Sequence, residues 1–133
     1  MGTEMTTLDT YAKKPMAYFS HDSDAHDDIK MRRLIKRLGL EGYGRFWLLC
    51  ETLAQCDCHH LPTVDNFDWE LVAESLLCDG IDEAKEFVLT LQELGLLAAD
   101  SDFIWSKRMH ENAKKIARYK KGGAMTAKKR WKE

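Results

Sequence analysis

The chain has 133 residues, of which 44% are hydrophobic and 32% charged, and its formal net charge at neutral pH is −2. This length leaves room for one domain with tails and excludes two full domains. No apolar run approaches the roughly 18 residues of a membrane span, and residues 1–20 lack the apolar segment of a signal peptide. We therefore expect a soluble cytoplasmic protein without a membrane partner.

The small net charge hides a strong asymmetry along the chain. Residues 106–133 carry eleven Lys or Arg against two Glu, a net charge of +9, whereas the remaining 105 residues have a net charge of −11. Such sorting usually marks a basic arm that binds a polyanion, most often nucleic acid. The simpler alternative is a solvated tail that only aids solubility.

The N-terminal region contains no hydrophobic periodicity, and we assign residues 1–16 to a flexible arm. Residues 21–28 then hold two His and four Asp. Aspartates suit Mg²⁺ or Ca²⁺, but neither a loop glycine nor a terminal Glu completes an EF-hand. A polar loop that ends in a helix cap is the favoured interpretation.

The first helix is predicted to begin at a cap formed by Asp27 or Asp28 and to end at Gly39. Its expected buried stripe consists of Met31, Leu34, Ile35 and Leu38. The other faces carry five cations, namely Lys30, Arg32, Arg33, Lys36 and Arg37. These cations favour either phosphate contact or a solvated helix face.

A second helix is predicted to open at residues 41–44, where two glycines allow close approach of neighbouring groups. Its apolar positions are Phe46, Leu49, Cys50 and Leu53, with Trp47 and Ala54 widening the buried arc. This pattern predicts core rather than a cofactor site.

The loop that follows contains four zinc-type ligands within five residues: Cys56, Cys58, His59 and His60. Known zinc sites use wider spacings, so these four residues can hardly surround one tetrahedral ion. Two alternatives remain: a partial site completed by another chain, or an exposed loop that begins a short strand over residues 60–63, which would lie beside the hairpin predicted below for residues 96–105. We predict no metal and no other cofactor. The four cysteines should be thiols, with Cys50 and Cys78 buried.

The next two helices form a predicted helix-turn-helix. The third helix has an apolar stripe of Trp69, Val72, Ala73 and Leu76, and residues 78–80 form the turn. The fourth helix begins at Ile81 and has a stripe of Ala84, Phe87, Val88 and Leu91. Asp82 and Glu83 suit its positive end, and Gly95 suits its left-handed stop.

Two β-prone runs, residues 96–99 and 103–105, flank a polar turn of hairpin length. A helix followed by a hairpin is the ending of a winged helix. The predicted fold is therefore mostly α with a small β-hairpin: a winged helix-turn-helix over residues 17–106, followed by a basic C-terminal helix and tail over residues 107–133. Another small α+β domain is the alternative.

The charges of the helix-turn-helix argue against base reading. Residues 57–105 contain twelve Asp or Glu, and Lys85 is their one Lys or Arg. Carboxylates near a DNA backbone oppose the counterion release that drives binding. This surface suits a protein partner or a second subunit better.

The basic arm can form a helix whose apolar positions are Met109, Ala113, Ile116 and Ala117, ending at Gly122 and Gly123. Trp131 can stack on an exposed base. The predicted DNA-binding residues of the arm are Lys107, Arg108, Lys114, Lys115, Arg118, Lys120, Lys121, Lys128, Lys129, Arg130 and Trp131. Lys30, Arg33 and Arg37 of the first helix join them.

Several motifs together resemble a known family. They are Tyr18-Phe19 before His21-Asp22, then Asp28-Ile29-Lys30, then residues 39–44 with Trp47 and Glu51, and finally residues 103–108. This pattern is similar to the N-terminal domain of phage and plasmid replisome organisers. The resemblance implies a winged helix akin to primosomal DnaD-type proteins, acting in replication initiation and often self-associating.

The leading hypothesis is therefore a non-enzymatic replication-initiation module that binds DNA largely without sequence preference. The expected partners are DNA, a second copy of the chain, and a helicase loader or other replication protein. One alternative is an oligomerisation module whose arm docks on the acidic face of a neighbouring copy, without DNA. Another is a winged-helix transcriptional regulator. No phosphate loop, nucleophile elbow or spaced metal motif indicates an enzyme.

Overall fold

A computed structural model describes residues 15–16, 21–109, 111, 114 and 118. In these residues, three helices and a three-stranded antiparallel sheet form the domain, and residues 107–109, 111, 114 and 118 at the start of the arm are helical as well. The elements, in chain order, are α1 (Ile29–Gln55), β1 (His60–Pro62), α2 (Asn66–Ser75), α3 (Ile81–Glu93), β2 (Ala98–Ala99) and β3 (Phe103–Trp105). Short 3₁₀ turns at Ala25–Asp27 and Asp57–His59 flank α1. The order helix, strand, two helices and hairpin is that of a winged helix, as predicted. Within the described residues, no helix is long and apolar enough to cross a membrane.

α1 contains both predicted N-terminal helices, separated by a break. Asp28 caps it, with Oδ2 accepting from the backbone N–H groups of Lys30 and Met31. At Gly39 the backbone leaves the helical region, with φ 71° and ψ −167°. A positive φ is costly for residues with a Cβ, so a glycine here produces the break.

One member of the predicted first stripe is misplaced. Met31 and Leu34 are buried, and Ile35 is half-buried, but Leu38 is exposed. Leu38 directly precedes the break, where the two halves of α1 change direction. A Cβ added at Gly42 would clash with the Cβ of Leu38, so Leu38 packs over that glycine instead of entering the core.

The core lies between α1 and the helix-turn-helix. Leu49 and Leu53 of α1 meet Val72, Leu76 and Leu91, all with no exposed surface. The predicted stripe of α3 is buried throughout, and that of α2 is buried except for the half-buried Trp69. Burying each such aliphatic side chain stabilises the fold by about 1.5–3 kcal/mol.

α3 ends in a paired hydrogen-bond motif around Gly95, which has φ 76°. The N–H of Gly95 donates to the carbonyl of Gln92, and the N–H of Leu96 donates to the carbonyl of Leu91. This is a Schellman arrangement, in which a left-handed residue lets two free carbonyls of the last turn find donors. Because Leu96 completes the helix end, β2 starts only at Ala98.

The wing turn is held by one carboxylate. Asp100 Oδ1 accepts from the N–H groups of Asp102 and Phe103, each at 2.8 Å. These two hydrogen bonds hold the pKa of Asp100 below its usual range. On its other side, β3 pairs antiparallel with β1, with His60 opposite Trp105, so the alternative of a short strand beside the wing is confirmed.

The chain continues into the core beyond the wing. Ser106 Oγ accepts from the N–H of Met109 at 3.2 Å, and Met109 is only 4% exposed. At the other end of the domain, Met16 is buried and donates its N–H to the carbonyl of Ala54. Both predicted arms are thus anchored where they join the domain. Ala113, Ile116 and Ala117 lie outside the described residues.

Candidate nucleic-acid interface

Two of the predicted DNA-binding cations on α1 bond to the end of the helix-turn-helix. Lys30 Nζ donates to the carbonyl of Gly95 at 3.2 Å. Arg37 Nη2 lies 2.9 Å from Glu93 Oε2, with both side chains about half exposed. Cations beside the last turn of a helix are favoured by its dipole. Lys30 and Arg37 therefore help to hold α1 against α3, and their contact with DNA remains a prediction.

The remaining cations of this face are exposed. Among the described residues, no hydrogen bond or ion pair involves the side chains of Arg32, Arg33 and Lys36. Arg32 and Lys36 are four residues apart on the helix surface, a spacing at which like charges repel by about 0.2–0.5 kcal/mol. An anion bound between them would remove that repulsion. Arg32 and Lys36 lie outside the predicted set of DNA-binding residues, although the sequence places them on the same patch.

A cleft brings the two predicted basic segments together. Lys30 of α1 and the arm residues Lys107 and Arg108 line one cavity of about 380 Å³ beside the start of the wing. Its apolar floor includes Phe46 and Leu97. Two segments that lie more than 70 residues apart in sequence thus form one basic surface.

Carboxylates moderate the charge of this cleft. Arg108 forms an ion pair with Asp22, and both side chains are about half exposed. Asp28 also lines the cleft. Exposed pairs of this kind contribute little to stability. Arg108 can therefore exchange Asp22 for a phosphate at small cost.

The described part of the arm is helical. Lys107, Arg108 and Arg118 are exposed and Lys114 is half-buried. The other predicted arm contacts, namely Lys115, Lys120, Lys121, Lys128, Lys129, Arg130 and Trp131, lie outside the described residues.

The outward face of α3 carries the opposite charge. Asp82, Glu86 and Glu93 are exposed there, beside Leu89, which is 54% exposed. Lys85, the one cation of the helix-turn-helix sequence, has its Nζ 5.6 Å from the centre of the Trp69 ring. That contact is of cation–π type and holds the charge against α2. The helix that reads the major groove in many helix-turn-helix proteins thus presents carboxylates here.

Arg45 is a structural residue that the sequence interpretation missed. Its side chain is only 14% exposed, and its Nε donates to the carbonyl of Leu76 at 3.0 Å. Its Nη1 lies 3.1 Å from Glu83 Oε1, and its guanidinium lies over the Phe87 ring. Arg45 therefore connects α1 to both helices of the helix-turn-helix. A signal was present, because Arg45 is the one Lys or Arg between Arg37 and Lys85.

The Cys/His loop is a tight turn before β1. Cys58 and His59 both have a φ of 58°. His60 donates its Nδ1–H to the carbonyl of Cys58 at 2.7 Å, and its ring stacks on Trp105. Within the described residues, no three His, Cys, Asp or Glu side chains are placed to hold a metal ion.

The two cysteines predicted to be buried differ. Cys50 is 5% exposed, and burial raises its thiol pKa to about 12, so the thiol stays protonated. Cys78 is only half-buried, because it lies in the turn between α2 and α3 rather than on a helix face. The prediction is thus confirmed for Cys50 and wrong for Cys78.

Residues 18–109 match the family model described as Lin1244/Lin1753-like, N-terminal. The chain belongs to this family. The matched region of this Lin1244/Lin1753-like domain runs through the basic face of α1, the helix-turn-helix and the wing to the anchoring Met109. Nine of the arm's eleven Lys and Arg residues follow it. No curated protein and no solved structure gives a match to this chain.

Proposed function

We propose that this Lin1244/Lin1753-like chain is a non-enzymatic module of DNA-replication initiation. Its basic arm and the exposed cations of α1 hold DNA through phosphates, largely without sequence preference. Its winged helix self-associates or contacts another replication protein, such as a helicase loader. The replication context rests on the resemblance to replisome organisers described above.

The observation that carries the DNA-binding part is the shared cleft. Lys30 on α1 and Lys107 and Arg108 at the root of the arm line the same cavity. The exposed Arg33 and Lys36 lie further along α1. A DNA backbone that enters this cleft can therefore contact cations on both segments at once. The two segments together offer more phosphate contacts than either one alone.

The acidic helix-turn-helix supports the division of roles. Its outward carboxylates repel a phosphate backbone, so the protein should turn its arm and α1 toward DNA. The helix-turn-helix then remains available to a protein. This division favours DNA binding by the arm over sequence reading by α3.

The test is the salt dependence of binding to duplex and single-stranded DNA of random sequence. With about six to nine phosphate contacts, affinity for the duplex should fall about 10³- to 10⁵-fold between 50 and 200 mM salt. A second duplex of unrelated sequence should bind within a few-fold of the first. A DNA affinity that does not change with salt concentration, or a strong preference for one sequence, would contradict this assignment.

The replication part needs its own measurement. Loading of the replicative helicase onto single-stranded DNA by its loader should increase when the chain is added. If the winged helix alone contacts the loader, a variant whose exposed α1 cations are replaced by neutral residues should increase loading to the same extent. A chain that binds DNA but changes no step of loading would leave the DNA-binding part standing and remove the replication part.

A further inference from the structure

α2 has a second face that the core does not use. Phe67, Glu70, Leu71 and Glu74 follow one another at i, i+3, i+4 and i+7, and all four are exposed. We call these four residues the α2 stripe. Phe67 is 65% exposed and Leu71 is 46% exposed, although Val72 and Ala73 on the opposite face are buried.

Side-chain hydrogen bonds hold the helix turn at which the α2 stripe begins. Asp65 caps α2 by accepting from the N–H of Asp68, while Asp68 accepts from the N–H of Val64. These reciprocal bonds hold the first turn and keep Val64, which is 63% exposed, at the end of the stripe. Three large apolar side chains thus lie on or beside one short exposed face, whereas scattered single ones would need no explanation.

The chemistry of the stripe selects a basic amphipathic partner. Phe67 and Leu71 would pack against apolar side chains of a partner, and Glu70 and Glu74 would pair with cations beside those side chains. The arm of this chain has both: residues 116–121 read Ile-Ala-Arg-Tyr-Lys-Lys, and the whole segment from residue 106 carries a net charge of +9. The helix-turn-helix, with one cation against its many carboxylates, is the complementary surface.

The partner arm belongs to another copy. In the single copy the α2 stripe is exposed, and Glu111 and Arg118 of its own arm are exposed as well. Met109 fixes the root of that arm in its own core. Since the root is held there and Arg118 is exposed, a neighbouring copy can reach the arm.

We propose that the α2 stripe of one copy binds the basic C-terminal arm of a second copy. This inference deepens the self-association named in the proposed function and does not depend on DNA binding. Because the same arm is proposed to hold phosphates, DNA and the neighbouring stripe compete for it. DNA binding and self-association then oppose one another.

A photo-crosslink from the stripe identifies its partner directly. The full chain is prepared with Phe67→p-benzoyl-phenylalanine and mixed with an isotope-labelled copy that carries no photoprobe, at 50 mM salt. Mass spectrometry should find crosslinks from position 67 to labelled peptides within residues 107–133. Their yield should fall at least five-fold at 500 mM salt, or when random-sequence duplex DNA is added.

The matched control places the same photoprobe at Leu40, an exposed leucine on α1. That position should give no labelled arm peptide. Crosslinks from position 67 only to unlabelled arm peptides would mean that the arm folds onto its own copy and would overturn the proposal. Equal labelled yields from both positions would mean non-specific contact and would overturn it too.

A charge-reversed chain separates this proposal from the proposed function. In light scattering at 50 mM salt, the unmodified chain should be larger than a monomer, and Glu70→Lys with Glu74→Lys should make it monomeric. The same variant should keep or increase its DNA affinity, because its arm is intact and free. If oligomers persist in this variant, the α2 stripe is not the binding surface, although the chain still self-associates. If the unmodified chain is already monomeric, both the stripe proposal and the proposed self-association are wrong.

Discussion

The first half of α1 and the helix α3 are both amphipathic, but their exposed faces carry opposite charges. α1 presents Arg32, Arg33 and Lys36, whereas α3 presents Asp82, Glu86 and Glu93. In a winged helix the position of α3 is the one that usually enters DNA. The fold alone therefore does not decide the function, and it is the charge on particular faces that favours α1 with the arm as the proposed DNA-binding side.

The largest expected effect comes from removing arm cations. Changing Arg118, Lys120, Lys121 and Lys128 to Gln should weaken duplex binding roughly 10³-fold at 100 mM salt, since each lost phosphate contact lowers affinity several-fold. A fluorescence titration over a range of salt concentrations measures this, and the log–log slope should become less steep by about 3–4.

The matched control for the arm is Lys85→Gln, which removes one cation from the acidic region. It should change DNA affinity less than two-fold, whereas Lys120→Gln alone should weaken it about eight-fold at 100 mM salt. Similar losses of DNA affinity in the two single variants would mean that DNA does not distinguish the basic arm from the acidic helix-turn-helix.

The two faces of α3 can be separated by stability. Leu91→Ala should lower the free energy of unfolding by about 2–5 kcal/mol, because Leu91 is fully buried and the change leaves a cavity. Leu89→Ala on the exposed face should change it by less than about 0.5 kcal/mol. Urea unfolding followed by circular dichroism measures both. A large loss from Leu89→Ala would mean that the outward face supports the fold and is not free for a partner.

Two arginines should show opposite behaviour. Arg45→Met should cost about 1–3 kcal/mol of stability, since it leaves the carbonyl of Leu76 and the carboxylate of Glu83 without their buried donor. Arg33→Met should cost less than about 0.5 kcal/mol. In a DNA titration the order should reverse: Arg33→Met should bind DNA more weakly, whereas folded Arg45→Met should keep its DNA affinity. The same ranking in both measurements would refute the distinction between structural and DNA-binding cations.

The smallest effects concern the break in α1. Gly39→Ala should destabilise by about 1 kcal/mol, because a side chain is strained at φ 71° although nothing lies within 4 Å of the added Cβ. Gly44→Ala, in the helical part of α1 with equally open space, should stabilise by about 0.5–1 kcal/mol. Thermal unfolding should shift in opposite directions for the two variants. Equal shifts would mean that the break does not depend on the glycine backbone.

Local signals in the sequence were sufficient for most of the fold. The stripe of α3, its glycine stop and the hairpin each leave a distinct pattern of period, turn and charge, and all three are confirmed. The strand at His60 beside the wing was one of the two alternatives that the sequence left open for the Cys/His loop. Leu38 was misplaced because periodicity assumes a straight helix, and the change of direction at Gly39 depends on how the two halves pack.

The candidate interface was only partly predictable. The excess of cations after Ser106 is visible in sequence, but the cleft that unites Lys30 with Lys107 and Arg108 is a tertiary feature. The intramolecular bonds of Lys30 and Arg37 could not be read from sequence either, since their acceptors lie more than 50 residues away. The exposure of Phe67 also needed the structure, because the pattern alone does not say which face of α2 the core takes.

The anchoring of Met109 couples the root of the arm to the folded core. Met109 is only 4% exposed and its N–H donates to Ser106 Oγ, so the fold itself sets where Lys107 and Arg108 lie relative to Lys30. Unfolding of the domain would separate these cations. A polyanion that binds them together should therefore raise the melting temperature of the domain, because it binds the folded state and not the unfolded one.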